Sequence, residues 1–140
     1  MKKSLLTTAL CFLSNIALAD HITVSDAWAR ATPPGAQTGA IYLTLTNQGA
    51  ADRLVALGTD AAREAQLHTH LHADGMMRME QIAALELPAN GTAVMAPGGD
   101  HVMLIGLKQP LVPGATVTLT LEFAQHEALS VSIPVRDGRR

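Results

Sequence analysis

Residues 117–135 read VTLTLEFAQHEALSVSIPV, and the alternation in this stretch decides the fold class. Val117, Leu119, Leu121 and Phe123 alternate with Thr118, Thr120 and Glu122. After a polar break at Gln125, His126 and Glu127 the pattern resumes in Leu129, Val131, Ile133 and Val135. Apolar residues two apart lie on one face of an extended chain, so the stretch predicts two half-buried strands joined by a hairpin.

The same period appears upstream, where Ile41, Leu43 and Leu45 alternate with Tyr42, Thr44 and Thr46 before the turn cluster Asn47-Gln48-Gly49. Further turn signals stand at Pro33-Pro34-Gly35, Asp74-Gly75, Asn90-Gly91, Pro97-Gly98-Gly99 and Pro113-Gly114. Many short strands between such turns predict an all-β sandwich with Greek-key connections. Only residues 60–67 have helical character, through Ala61, Ala62, Arg63, Glu64 and Ala65. That run is short enough for a single turn or a strand lead-in. Trp28 and Tyr42 are read as aromatics packing the core or the sheet rather than as a ligand platform.

The chain has 140 residues, 48% of them hydrophobic and 3% aromatic, which suits one domain with an aliphatic core. Lys2 and Lys3 precede an apolar run that closes with Ala17-Leu18-Ala19, an A-x-A cleavage signature before Asp20. Residues 1–19 are therefore expected to be a cleaved signal peptide and residues 20–140 the functional domain. The run is too short and too interrupted, by Ser14 and Asn15, to be read as a membrane span. Cys11 follows the bulky Leu10, which sets lipidation aside. Cleavage takes the formal charge from −2 to −4 and makes nucleic acid an unsuitable partner. It also removes the only cysteine, so soft-metal chemistry would have to rest on methionine.

Four of the six histidines and five of the six methionines fall between His68 and Met103. In Gln66-Leu67-His68-Thr69-His70-Leu71-His72 the histidines alternate with Leu67, Thr69 and Leu71, which puts three imidazoles on one face of a strand. A two-residue loop at Asp74-Gly75 would pair His70 with Met79 and His72 with Met77, leaving His68 and Met79 as diagonal neighbours. That register also places Arg78 and Glu80 on the face expected to meet the core. His101 and Met103 leave the next strand on one side, with Val102 and Leu104 on the other. Met95 and Met76 are read as core residues, and His126 as a hairpin-tip residue. His21 is a minor candidate ligand.

Two thioethers and two imidazoles select Cu(I), because sulfur is soft and both ligand types are neutral. A blue-copper electron carrier would need a thiolate, which the cleaved chain lacks. A zinc hydrolase would need an open position and a placed base, and Glu80 is the only glutamate in the hairpin. The rival reading is a Cu(II) or Zn(II) buffer or storage protein of the periplasm without a dedicated delivery partner.

His68, ten residues, Met79, twenty-one residues, His101-x-Met103 resembles the fingerprint of the PCu(A)C-like periplasmic copper chaperones. The resemblance extends through Ala27-Trp28-Ala29-Arg30, Pro34-Gly35-Ala36, Gly39-Ala40-Ile41-Tyr42, Gln66-Leu67-His68, Pro97-Gly98-Gly99 and Gly106-Leu107-Lys108. It implies a cupredoxin-like sandwich and a periplasmic monomer that is not an enzyme. It implies one Cu(I) held by His68, Met79, His101 and Met103 and delivered to the dinuclear copper centre of a respiratory oxidase's copper subunit, with other periplasmic copper carriers as cooperating partners. The chain departs from the simplest pattern in carrying His70 and His72, which with Met77 are candidates for an auxiliary Cu(II) or Zn(II) site. Its C-terminal end, Arg136-Asp137-Gly138-Arg139-Arg140, lacks the His- and Met-rich tail of some relatives.

Overall fold

Alternating aliphatic and polar residues cannot bury one face alone, and here they do so by stacking two sheets. The computed structural model describes residues 21–138, so the expected signal peptide, Cys11 and the last two arginines lie outside the described residues. Ten strands follow in order: β1 (Ile22–Arg30), β2 (Thr38–Asn47), β3 (Asp52–Thr59), β4 (Ala62–Ala73), β5 (Met76–Gln81), β6 (Leu85–Leu87), β7 (Thr92–Met95), β8 (His101–Leu107), β9 (Thr116–Phe123) and β10 (Leu129–Arg136). Among the described residues no helix is long and apolar enough to cross a membrane.

Sheet A runs β5-β4-β8-β2-β1 and sheet B runs β10-β9-β3-β6. A short parallel pairing of β1 with β10, Ala29 to Val135 and Arg30 to Arg136, joins them. Ile41, Leu43 and Leu45 of β2, Val102 and Leu104 of β8, and Leu119, Leu121 and Ile133 of sheet B are at most 1% exposed and fill the space between the sheets. Each such side chain contributes about 1.5–3 kcal/mol on burial. The β9–β10 hairpin predicted from residues 117–135 is present, with Leu121 opposite Leu129 and Val117 opposite Ile133.

Residues 60–67 form no helix; from Ala62 they are the start of β4, the strand lead-in reading, because Glu64 to Leu67 pair with β8. Tertiary pairing outweighs the helix preference of a short alanine-rich run.

Two irregularities shape the outer face of sheet A. Asp26 has φ 52° where the β1–β2 register slips between Ser25 and Trp28. This bulge reverses which face the later residues occupy, so Ala29 turns into the core and Trp28 turns out, opposite Tyr42. The second lies beside β2, where β7 pairs with Leu43–Thr46 and β8 with residues 38–41. β7 and β8 therefore lie end to end along one side of β2, and residues 96–100 loop out between them.

Candidate metal centre

The loop that interrupts β7 and β8 also aims the first candidate ligand. Gly98 takes φ 84° in it, Gly99 N donates to Ala96 O at 3.0 Å, and Ala96 N donates to Asp100 O at 3.0 Å, closing its neck. Directly after the neck, His101 faces away from the core while Val102 faces in. The residue is 5% exposed and its Nδ1 lies 3.0 Å from Gly99 O. A carbonyl only accepts, so Nδ1 carries the proton and Nε2 keeps its lone pair.

Across β4 and β8, His68 stands opposite His101 and Gln66 opposite Met103. Across β8 and β2, Met103 stands opposite Ala40. Continuing both registers lines up Gln81, His68, His101, Tyr42 and Trp28 across five strands of sheet A on its outer face. The ring centroids lie 5.9 Å apart for His68 and His101, 6.2 Å for Tyr42 and His101, and 4.9 Å for Trp28 and Tyr42. Arg30 places its guanidinium 5.5 Å from the centre of the Tyr42 ring and 5.9 Å from that of Trp28.

His68 Nε2 lies 3.0 Å from Gln66 Oε1, and its Nδ1 is buried without a hydrogen-bond partner. Gln66 Nε2 in turn donates to Glu64 at 2.9 Å, which orients the amide oxygen toward the imidazole. The amide oxygen accepts from Nε2–H, so the orphan Nδ1 holds a lone pair and suits a metal ion. Burial pushes the His68 pKa below its ordinary value, and the neighbouring His101 adds to the shift, so the ring is neutral at neutral pH.

The β4–β5 hairpin turns at Asp74 (φ 54°) and Gly75 (φ 71°), a left-handed pair typical of a two-residue loop matched to strand twist. The expected register holds, with His70 opposite Met79 and His72 opposite Met77. Arg78 and Glu80 do share a face with Leu71, but that face is not core: Leu71 is 44% exposed and all of β5 is exposed. The hairpin overhangs the sandwich, which removes the apparent conflict. Met76, expected in the core, is 66% exposed for the same reason, whereas Met95 is buried as expected. Glu80 pairs with Thr69 and faces away from the histidines, so it is not placed as a base for them.

An open groove gathers His70, Met79, His101, Met103 and Tyr42 under the edge of the segment from Arg30 to Ala36. His68 sits beside His101 but does not line that groove. Hence the histidine directly presented with Met79 is His70, and the one matching the sequence fingerprint is held underneath. His70 Nδ1 also lies 3.2 Å from Met77 Sδ. His72 is exposed farther along the hairpin. Among the described residues no three His, Cys, Asp or Glu side chains come together as a metal-holding group. The other soft donors on this face are the Met79 and Met103 thioethers of the groove.

Tyr42, expected only to pack the core or the sheet, is a wall of the groove as well as a buried residue. The signal was present in its parity, since Ile41 and Leu43 face the core and Tyr42 between them must face out. His126 sits at the β9–β10 turn as expected, but it is bonded to Asp52 rather than free in solvent. His21 opens the described chain, and its carbonyl accepts from Gln48 N.

The sequence model of the LpqE-like family, described as "Putative lipoprotein LpqE-like", matches residues 22–135. A protein of Leifsonia xyli subsp. xyli described as "Putative lipoprotein Lxx21020" is 36% identical over 121 residues, covering 85% of this chain and 72% of its own length. The solution structure of CuI-DR1885 from Deinococcus radiodurans is 38% identical, with a TM-score of 0.66 over 81% of this chain and 76% of that one. The copper-bound PCuAC domain from PmoF2 has a TM-score of 0.70 over 86% of this chain and 99% of its own, at 23% identity, and so shares the fold.

Proposed function

The chain belongs to the LpqE-like family, and from that membership and the donors on the outer face of sheet A we propose that it is an exported, non-enzymatic copper carrier. It binds one Cu(I) through His68, Met79, His101 and Met103 in the periplasm. It then passes the ion to the dinuclear copper centre in the copper subunit of a respiratory oxidase.

The observation that carries this reading is the company His68 keeps. Its buried Nδ1 has no hydrogen-bond partner, a second imidazole, His101, stands opposite it in the same cross-strand row, and His101 also lines the adjoining groove with two thioethers. Neutral soft donors favour Cu(I) over Zn(II), and they leave the ion its charge, so a thiolate-rich receiver can take it. Gln66 and the Gly99 carbonyl act one step back, fixing which nitrogen of each ring is available. The solved relative named as CuI-DR1885 supports the choice of Cu(I) over Cu(II).

X-ray absorption of the Cu(I)-loaded protein is expected to show both sulfur and nitrogen scatterers; a shell without sulfur would defeat the site. Transfer separates a carrier from a buffer or store. Loaded protein mixed with an apo oxidase copper fragment should give up its ion and build the dinuclear centre. Retention of the ion would favour the buffer.

A further inference from the structure

The hairpin carries more soft donors than one ion needs, and they are arranged in two tiers. His68 and His101 form the lower tier, with rings 5.9 Å apart and Nδ1 of His68 out of contact with solvent. Met77 is 58% exposed on the overhang, and its backbone stands opposite exposed His72. His70 belongs to both tiers. Its ring centre lies 5.2 Å from that of His101, it lines the groove with Met79 and Met103, and its Nδ1 meets Met77 Sδ at 3.2 Å.

We propose that His70, His72 and Met77 form a second, outer Cu(I) site at the tip of the β4–β5 hairpin, and that His70 hands the ion from it to the inner site. The proposal rests on the inner site assigned to His68, Met79, His101 and Met103.

Donor chemistry decides the metal. In the tautomer protonated at Nδ1, His70 and Met77 share an N–H···S hydrogen bond; in the other, two lone-pair donors face each other. Taking bonds of about 2.0 Å to nitrogen and 2.3 Å to sulfur as zinc shows, a 3.2 Å gap corresponds to an angle of roughly 95° at a shared ion. The pair can thus hold one cation with little rearrangement. Directly opposite strand residues have Cβ atoms about 4.5–5.5 Å apart, so His72 is in reach of the Met77 thioether as a third donor. Two nitrogens and one sulfur, with Glu80 turned to the opposite face of the hairpin, suit Cu(I) better than the Cu(II) or Zn(II) expected for these histidines.

The outer donors are exposed and the inner nitrogen is covered, so arrival at the tip comes first. Exchange of ligands one at a time around a donor common to both sites avoids a bare ion, with no change in oxidation state.

The test uses the full exported chain with Cu(I), and with Ag(I) as a redox-inert stand-in, under competition from a soluble Cu(I) chelator. The wild type is expected to bind a second, weaker equivalent. His72→Asn combined with Met77→Leu should abolish that equivalent and slow loading of the first by about tenfold, the scale on which supporting groups act at metal sites. His70→Asn should do both as well, whereas His68→Ala should lose the tight equivalent and keep the weak one. A wild type that takes up only one equivalent, or a tip variant that loads at the wild-type rate, overturns the outer site. If instead the tight equivalent survives both His68→Ala and Met103→Leu, the inner-site reading is what fails.

Discussion

His68 in sheet A and His126 beside sheet B each have one buried ring nitrogen without a hydrogen-bond partner, yet their surroundings give them opposite roles. His126 Nδ1 is bonded to Asp52, whose side chain is fully buried and also accepts from the backbone N–H of Arg53, Gln125 and His126 at 2.7, 2.9 and 3.0 Å. Those bonds tie the start of β3 to the β9–β10 turn. His68 is supported by one amide oxygen and stands beside the His101 imidazole, whose other side opens on the groove with Met79 and Met103. An unpartnered nitrogen is thus not in itself a mark of a metal site. A hard carboxylate closes one cluster into a structural clamp, and soft neutral donors leave the other available for a soft cation.

The sharpest way to break this contrast is at His101. In zinc-finger peptides four ligands supply about 10–16 kcal/mol, so losing one of four should cost roughly 100-fold or more in affinity. His101→Ala is expected to weaken Cu(I) binding on that scale in chelator competition, well beyond the loss of urea stability, about 1–2 kcal/mol, that follows from deleting a buried ring bonded to Gly99.

Asp52→Ala should do the reverse. Three amides and an imidazole lose their acceptor in a buried place, which should cost about 2 kcal/mol in urea unfolding. The Cu(I) stoichiometry and affinity should stay at wild-type values, and a loss of copper binding without loss of stability would erase the distinction. The clamp also has a pH signature. Burial pushes the Asp52 pKa up, but the bond to His126 and those from the three amides outweigh it, leaving the pKa below the ordinary 3.8. A folded pKa below the unfolded one contributes stability that is complete above about 3.8 and is lost as pH falls through the folded value. Acid unfolding of Asp52→Asn should lack that component.

Gln66→Leu tests support from behind the ligand. It removes the acceptor for His68 Nε2–H and should lower Cu(I) affinity by about tenfold with stoichiometry unchanged. The smallest effect is expected at the turn, where Gly75→Ala forces a Cβ into a left-handed conformation at a cost of about 1 kcal/mol. Two-dimensional NMR should show the disturbance in β4 and β5, with His126 and Asp52 unmoved.

Much of this was legible in residue order. The alternation in β2, β8, β9 and β10 marks which side chains face the core, and the Asp74-Gly75 turn sets the β4–β5 register by itself. The overhang was not legible, because nothing in the hairpin says where the sandwich beneath it ends; that is why Met76 looked like a core residue. The bulge at Asp26 was equally silent, since a one-residue insertion appears only against a partner strand. Without it, Trp28 would point into the core and could not stand beside Tyr42.

The sequence by itself determined the fold class, the shared strand face of His68, His70 and His72 and that of His101 and Met103, and a donor set suited to Cu(I). Only the tertiary structure decided that His101 stands between His68 and Tyr42, that His70 rather than His68 lines the groove with Met79, and that Asp52 claims His126. The physical reason is that a period of two fixes a side chain's face relative to its own strand alone. Its neighbours depend on pairings such as β4 with β8 and β8 with β2, which link segments far apart in the chain and are set by how the whole core packs.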